Sequence, residues 1–216
     1  MKQQPVDIIK REKLIVIVRG VEKEKLIPLA EAMYQGGIRL LEITYSKNGL
    51  SDEETAQNIA MLAKHFEGRM LIGAGTVLTT KQVELTKKAG GTFIISPNTK
   101  KEVIEFTNDT GLVSLPGAMT PSEIEAAYEC GADFVKLFPV TSLGAEYVKS
   151  LKAPLSHIPL LAVGGIDLNN IKSYLNAGIS GIGLGSNIVN KELLAKNKFE
   201  EITRLAEQYC LAIKEG

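Results

Sequence analysis

Tryptophan is missing from this 216-residue chain, and histidine and cysteine occur only twice each. Two histidines leave no room for a multi-histidine metal site and make a histidine-based catalytic triad hard to assemble. Cys130 and Cys210 lie far apart, in segments of helical periodicity, and show no metal-ligand spacing. They are expected to be reduced, packed thiols rather than a disulfide framework. Neither charge is in excess, with 25 basic and 25 acidic side chains. Nucleic acid and anionic membrane surfaces are therefore not expected as partners, and an anionic substrate has to be met by local groups. No apolar run approaches the ~18 residues of a membrane span. The N-terminal stretch MKQQPVDIIKREK also lacks the apolar centre of an export signal. The expectation is a cytoplasmic protein.

What the chain does have is a recurring short apolar run. Eight of them stand at 14–18, 39–43, 70–73, 92–95, 111–114, 133–137, 160–163 and 181–184. Runs of this length, apolar throughout, suit strands covered on both faces, as in a parallel sheet. Helical patterns with one polar face separate them, at 22–35, 52–66, 80–89, 100–109, 121–130, 145–153 and 168–177, with 192–213 as the last helix. Thr120-Pro121-Ser122-Glu123 opens one of these with a capping threonine, proline at the first helical position and glutamate at the third. Asp167 is placed to cap the 168–177 helix. Glycines close several helices, at Gly36-Gly37, Gly90-Gly91, Gly131 and Gly178. Eight rounds of strand and helix predict an α/β fold, a (β/α)8 TIM barrel forming a single domain over 1–216 with a short N-terminal helix. An open doubly wound sheet is the rival.

In such a barrel the working residues sit where strands end and loops begin. Here those ends carry Arg19-Gly20, Glu42-Ile43-Thr44, Gly73-Ala74-Gly75-Thr76, Ser96-Pro97-Asn98, Pro116-Gly117, Lys136 with Phe138-Pro139, Val163-Gly164-Gly165 and Gly185-Ser186. Lys136 interrupts the apolar run DFVKLF. A lysine taken out of water loses basicity, and the neutral amine can attack a carbonyl. The bland alternative is a strand-end lysine reaching solvent. Glu42 interrupts LLEIT in the same way. A carboxyl in apolar surroundings has a raised pKa and can accept and donate protons near neutrality. Its bland alternative is a structural ion pair with Arg19 or Lys136. The guanidinium of Arg19 suits a carboxylate through two parallel bonds. The glycine pairs after the seventh and eighth strands sit where barrels commonly hold a phosphate on backbone N–H groups.

Several stretches, taken together, resemble a known family. LLEIT, IGAGTVL, FIISPN, LPGAMTPSE, VKLFP, VGGI and GLGS follow the order and spacing of the 2-keto-3-deoxy-6-phosphogluconate (KDPG) and 4-hydroxy-2-oxoglutarate (KHG) aldolases, over about residues 8–213. The resemblance implies a Schiff-base aldolase that needs neither metal nor cofactor, acts on a phosphorylated sugar acid and releases pyruvate, and assembles as a homotrimer. It implies Lys136 as the Schiff-base lysine and Glu42 as the general acid and base. Arg19 and Thr76 would hold the carboxylate, Pro97 and Phe138 would line that pocket, and Gly164, Gly165, Gly185 and Ser186 would bind the phosphate. Two positions depart from the gluconate pattern. Val163 stands where many members carry a threonine that bonds a substrate hydroxyl. Ser46 stands where many carry an arginine, with Lys47 beside it as a candidate for the missing phosphate charge. Both departures are features of the galactonate-type relatives. An isomerase or synthase on a phosphate-binding barrel, or a non-catalytic phosphosugar-binding barrel, would share the glycine pairs without needing Lys136.

Overall fold

The computed structural model describes residues 2–46 and 49–215. Among these residues nine parallel strands form one sheet: β1 (Leu14–Val18), β2 (Leu40–Thr44), β3 (Leu71–Gly75), β4 (Phe93–Ile95), β5 (Val113–Leu115), β6 (Gly117–Ala118), β7 (Val135–Leu137), β8 (Leu160–Val163) and β9 (Gly181–Leu184). Among the described residues ten helices accompany them: α1 (Gln3–Glu12), α2 (Lys23–Gln35), α3 (Asp52–His65), α4 (Thr80–Lys88), α5 (Lys101–Asp109), α6 (Pro121–Glu129), α7 (Gly144–Lys152), α8 (Ile171–Asn176), α9 (Lys191–Ala195) and α10 (Phe199–Lys214). The order around the sheet is β5-β4-β3-β2-β1-β9-β8-β7-β6. Its two ends, β5 and β6, are one stretch of chain divided at Pro116. β5 pairs with β4 and β6 pairs with β7, and the Lys136 N–H donates to the Pro116 carbonyl at 2.8 Å. That stretch joins both edges, so the sheet curls into a barrel rather than an open doubly wound sheet.

Side chains on a strand alternate between its two faces, and the burial pattern separates into two cores accordingly. Leu41, Ile43, Ile72, Ala74, Ile94, Val135 and Leu137 point outward into the layer shared with the helices. Ile15, Leu40, Phe93, Ile95, Val113, Leu115, Phe134 and Leu161 point inward and fill the barrel. Val6 and Ile9 of α1 join this inner cluster, so the N-terminal helix stoppers the end where the strands begin. A salt bridge from Lys2 to Asp133 at 2.9 Å ties it down.

The helix boundaries follow local chemistry. Ser51 with Glu54, and Thr120 with Glu123, form capping boxes on α3 and α6. The expected 192–213 helix is two helices. Asn197 adopts a left-handed conformation (φ 53°) and breaks the run after α9. α8 begins at Ile171 rather than 168, because Asp167 caps a turn instead. Its carboxylate accepts from the N–H groups of Asn169 and Asn170 at 2.8 and 3.1 Å. Among the described residues no helix is long and apolar enough to cross a membrane.

Candidate active site

Inward parity places the site. Glu42 is two residues beyond Leu40 on β2, and Lys136 two beyond Phe134, both of which lie in the inner core. Each therefore points inward one layer above it, towards the strand ends. Glu42 is 1% exposed and Lys136 8%. Both line a cavity of about 1140 Å³ at that end. Arg19, Thr76, Pro97, Phe138, Val163, Gly164, Gly165, Gly185 and Ser186 line the same cavity. Eleven residues drawn from seven strand ends thus converge on one space.

Space for the carboxyl of Glu42 comes from the neighbouring strand. A Cβ added at Gly75 would fall 1.5 Å from Glu42 Oε1. Only a glycine there leaves the acid in place. The Thr44 hydroxyl donates to Oε1 at 3.2 Å, while Oε2 is buried without a hydrogen-bond partner among the described residues. Burial pushes the Glu42 carboxyl above the ordinary range, opposed by the charge of Lys136, the bond from Thr44 and the charge of Arg19. Lys136 is displaced in the opposite sense. Burial pulls its ammonium below the ordinary lysine range; the Glu42 carboxylate resists this and Arg19 adds to it. Lys136 and Arg19 act on Glu42 through charge, not through a hydrogen bond. Two groups of opposite sign, each desolvated, are each pushed towards neutrality.

The other groups flank this pair. Nζ of Lys136 lies 4.6 Å from the ring centre of Phe138. Arg19 Nη2 donates to Thr76 Oγ1 at 3.1 Å. Thr76 itself is held in a left-handed conformation (φ 56°), a strained backbone of the kind that concentrates at functional sites. Gly164 and Gly165 have φ of 98° and 71°, which glycine adopts without strain. Val163 is buried and presents methyl groups beside them. Ser46 borders an adjoining cavity shared with Arg19. Lys47 lies outside the described residues.

The sequence places Thr44 and Gly75 at the strand ends but assigns them no role there, and Lys25 is not singled out at all. The roles of Thr44 and Gly75 could have been found by alternation and register, since Thr44 shares the face of Glu42 and pairs with Gly75. Lys25, from the first turn of α2, reaches the cavity with no sequence signal beyond an ordinary surface lysine. Among the described residues no cluster of three or more histidine, cysteine or acidic side chains is arranged to hold a metal.

A parallel α/β barrel with a desolvated lysine and a buried acid at its strand ends defines the class of Schiff-base barrel enzymes. A family model described as KDPG and KHG aldolase matches residues 6–205, and the chain belongs to this family of aldehyde-lyases. It is 32% identical over 214 residues, 98% of each chain, to the 2-dehydro-3-deoxy-phosphogluconate aldolase of Haemophilus influenzae. It is also 32% identical to the 2-dehydro-3-deoxy-6-phosphogalactonate aldolase of Escherichia coli, over 93% of this chain and 96% of that one. Among solved structures, the KDPG aldolase of Legionella pneumophila, with pyruvate captured at low pH as a covalent carbinolamine intermediate, superposes with a TM-score of 0.85 at 29% identity, over 96% of this chain and 98% of that one.

Proposed function

We propose that the protein cleaves 2-keto-3-deoxy-6-phosphogluconate to pyruvate and glyceraldehyde 3-phosphate through an imine on Lys136. The observation that carries this is the buried pair at the strand ends. Burial lowers the basicity of Lys136 and raises the Glu42 carboxyl above its ordinary range, the two directions that an amine nucleophile and a proton-carrying acid require. The amine adds to the C2 ketone, and the carbonyl oxygen leaves as water after protonation. The cationic imine then accepts the electron pair of the C3–C4 bond. Glu42, directly or through one water, takes the proton of the C4 hydroxyl, and glyceraldehyde 3-phosphate departs as the aldehyde. The enamine gains a proton at C3, and hydrolysis returns pyruvate and the free lysine.

Arg19 and Thr76 hold the carboxylate end, with Pro97 and Phe138 packing against the pyruvyl portion. Gly164, Gly165, Gly185 and Ser186 receive the phosphate at the far end. Cleavage of 4-hydroxy-2-oxoglutarate to pyruvate and glyoxylate needs the same lysine and acid and no phosphate contact. A homotrimer in the cytoplasm completes the reading. Reduction with borohydride in the presence of pyruvate tests it. One pyruvate-sized adduct should map to Lys136, and Lys136→Ala should lose both labelling and turnover. An unlabelled wild type would overturn the assignment.

A second reading, cleavage of the galactonate epimer, is favoured by Val163. A valine offers no hydrogen bond to the C4 hydroxyl, so the contact that would select the gluconate configuration is absent there. Comparing kcat/KM for the two epimers in the wild type and in Val163→Thr decides between them. Gluconate preference in the wild type supports the first reading. Galactonate preference, shifted towards gluconate by about tenfold in the variant, supports the second.

A further inference from the structure

We infer that Thr44 is a positioning residue for Glu42: its hydroxyl holds the carboxyl in the working orientation between β2 and β3. This rests on the assignment of Glu42 as the acid and base. Among the described residues the bond from Thr44 Oγ1 to Oε1, at 3.2 Å, is the only hydrogen bond the Glu42 side chain makes. A glutamate has three side-chain torsions, and the terminal one is broad and soft. The space over Gly75 sets where the carboxyl lies, and a directed bond restricts the rotation that is left within that space.

The geometry follows from strand parity. Thr44 is two residues beyond Glu42 on the same strand, hence on the same inward face. It is 8% exposed, so water competes little for its hydroxyl. Across the strand pair, Thr44 is in register with Gly75, whose missing side chain provides the space that Oε1 occupies. Thr44 and Gly75 therefore act together. The glycine leaves the room and the threonine fixes what fills it. The bond also favours the ionised carboxyl over the neutral one, so losing it should make Glu42 harder to ionise.

The test compares wild type, Thr44→Val and Thr44→Ser. Valine keeps the shape and removes the hydroxyl, while serine keeps the hydroxyl. The readouts are kcat and KM for the phosphorylated sugar acid, the pH profile of kcat, and borohydride trapping of pyruvate. Thr44→Val is expected to lower kcat about tenfold with KM little changed, and to move the acidic limb of the profile to higher pH. Thr44→Ser should return kcat to within about threefold of wild type and return the limb to its place. Trapping on Lys136 should persist in all three proteins, since it depends on the lysine. Should valine prevent folding, Thr44→Ala makes the same comparison. Wild-type kcat and an unmoved limb in Thr44→Val would overturn the inference, as would Thr44→Ser impaired as much as Thr44→Val. Loss of trapping in the wild type would instead overturn the underlying aldolase assignment.

Discussion

The two ends of the barrel use the same strands and the same inward-facing positions, yet they are filled in opposite ways. At the end where strands begin, inward positions carry Ile15, Leu40, Phe93, Val113 and Phe134, and α1 closes the opening with Val6 and Ile9. One layer further along β2, β3 and β7, the inward positions are Glu42, Gly75 and Lys136. Close packing of apolar side chains stabilises the first end. At the second, an acid oxygen is left without a partner among the described residues and a lysine is held in a site that disfavours its charge. The difference teaches that one end supplies the stability that lets the other keep unfavourable groups in place.

Three substitutions would break or sharpen that contrast. The largest effect is expected from Glu42→Gln, which should lower kcat by about 10²–10⁴-fold while leaving the melting temperature unchanged or higher. The sign follows from burial. The folded protein favours the neutral Glu42 carboxyl, so its contribution to stability is present below the ordinary value of 4.5 and is lost as pH rises through the raised folded value. Glutamine does not ionise, so the stability advantage of the variant should grow with pH above 4.5, as thermal melts across pH would record. A variant less stable than wild type at neutral pH would show that Glu42 serves the fold.

Phe93→Ala probes the opposite end. It removes a fully buried ring that packs on Gly73 and should cost about 3–5 kcal/mol in chemical denaturation. Its kcat should stay at the wild-type level at temperatures where the variant is folded. A large fall in kcat without loss of stability would erase the division between the ends. Gly75→Ala sits on the boundary. Its methyl group has to displace the Glu42 carboxyl, so kcat should fall about tenfold or more, with a stability loss of about 1–3 kcal/mol. Full activity in this variant would mean that the carboxyl does not work from the position seen.

Much of this was legible because local chemistry writes itself plainly in sequence. The capping box at Thr120 and the short apolar strands mark their elements to within a few residues, whereas the box that Ser51 and Glu54 form on α3 is not read from the sequence. Lys136 and Glu42 stand out because a charge inside an apolar run needs an explanation. The misses have equally local causes. The periodicity of 192–213 continues across Asn197, whose left-handed backbone ends α9. The fifth apolar run does not show that the chain beyond Pro116 returns to the sheet as β6 and closes it.

Periodicity and local chemistry in the sequence predict the alternation of strand and helix, a lysine and an acid set within apolar runs, and the glycines where the backbone must turn or be approached. These depend on short-range chemistry and on periodicities that neighbouring residues carry together. The tertiary structure adds that, among the described residues, Lys136 and Glu42 make no hydrogen bond to one another, that Thr44 is the one residue bonded to the acid, and that Gly75 makes room for it. Those facts depend on register between strands far apart in the chain, and on how completely water is excluded where they meet.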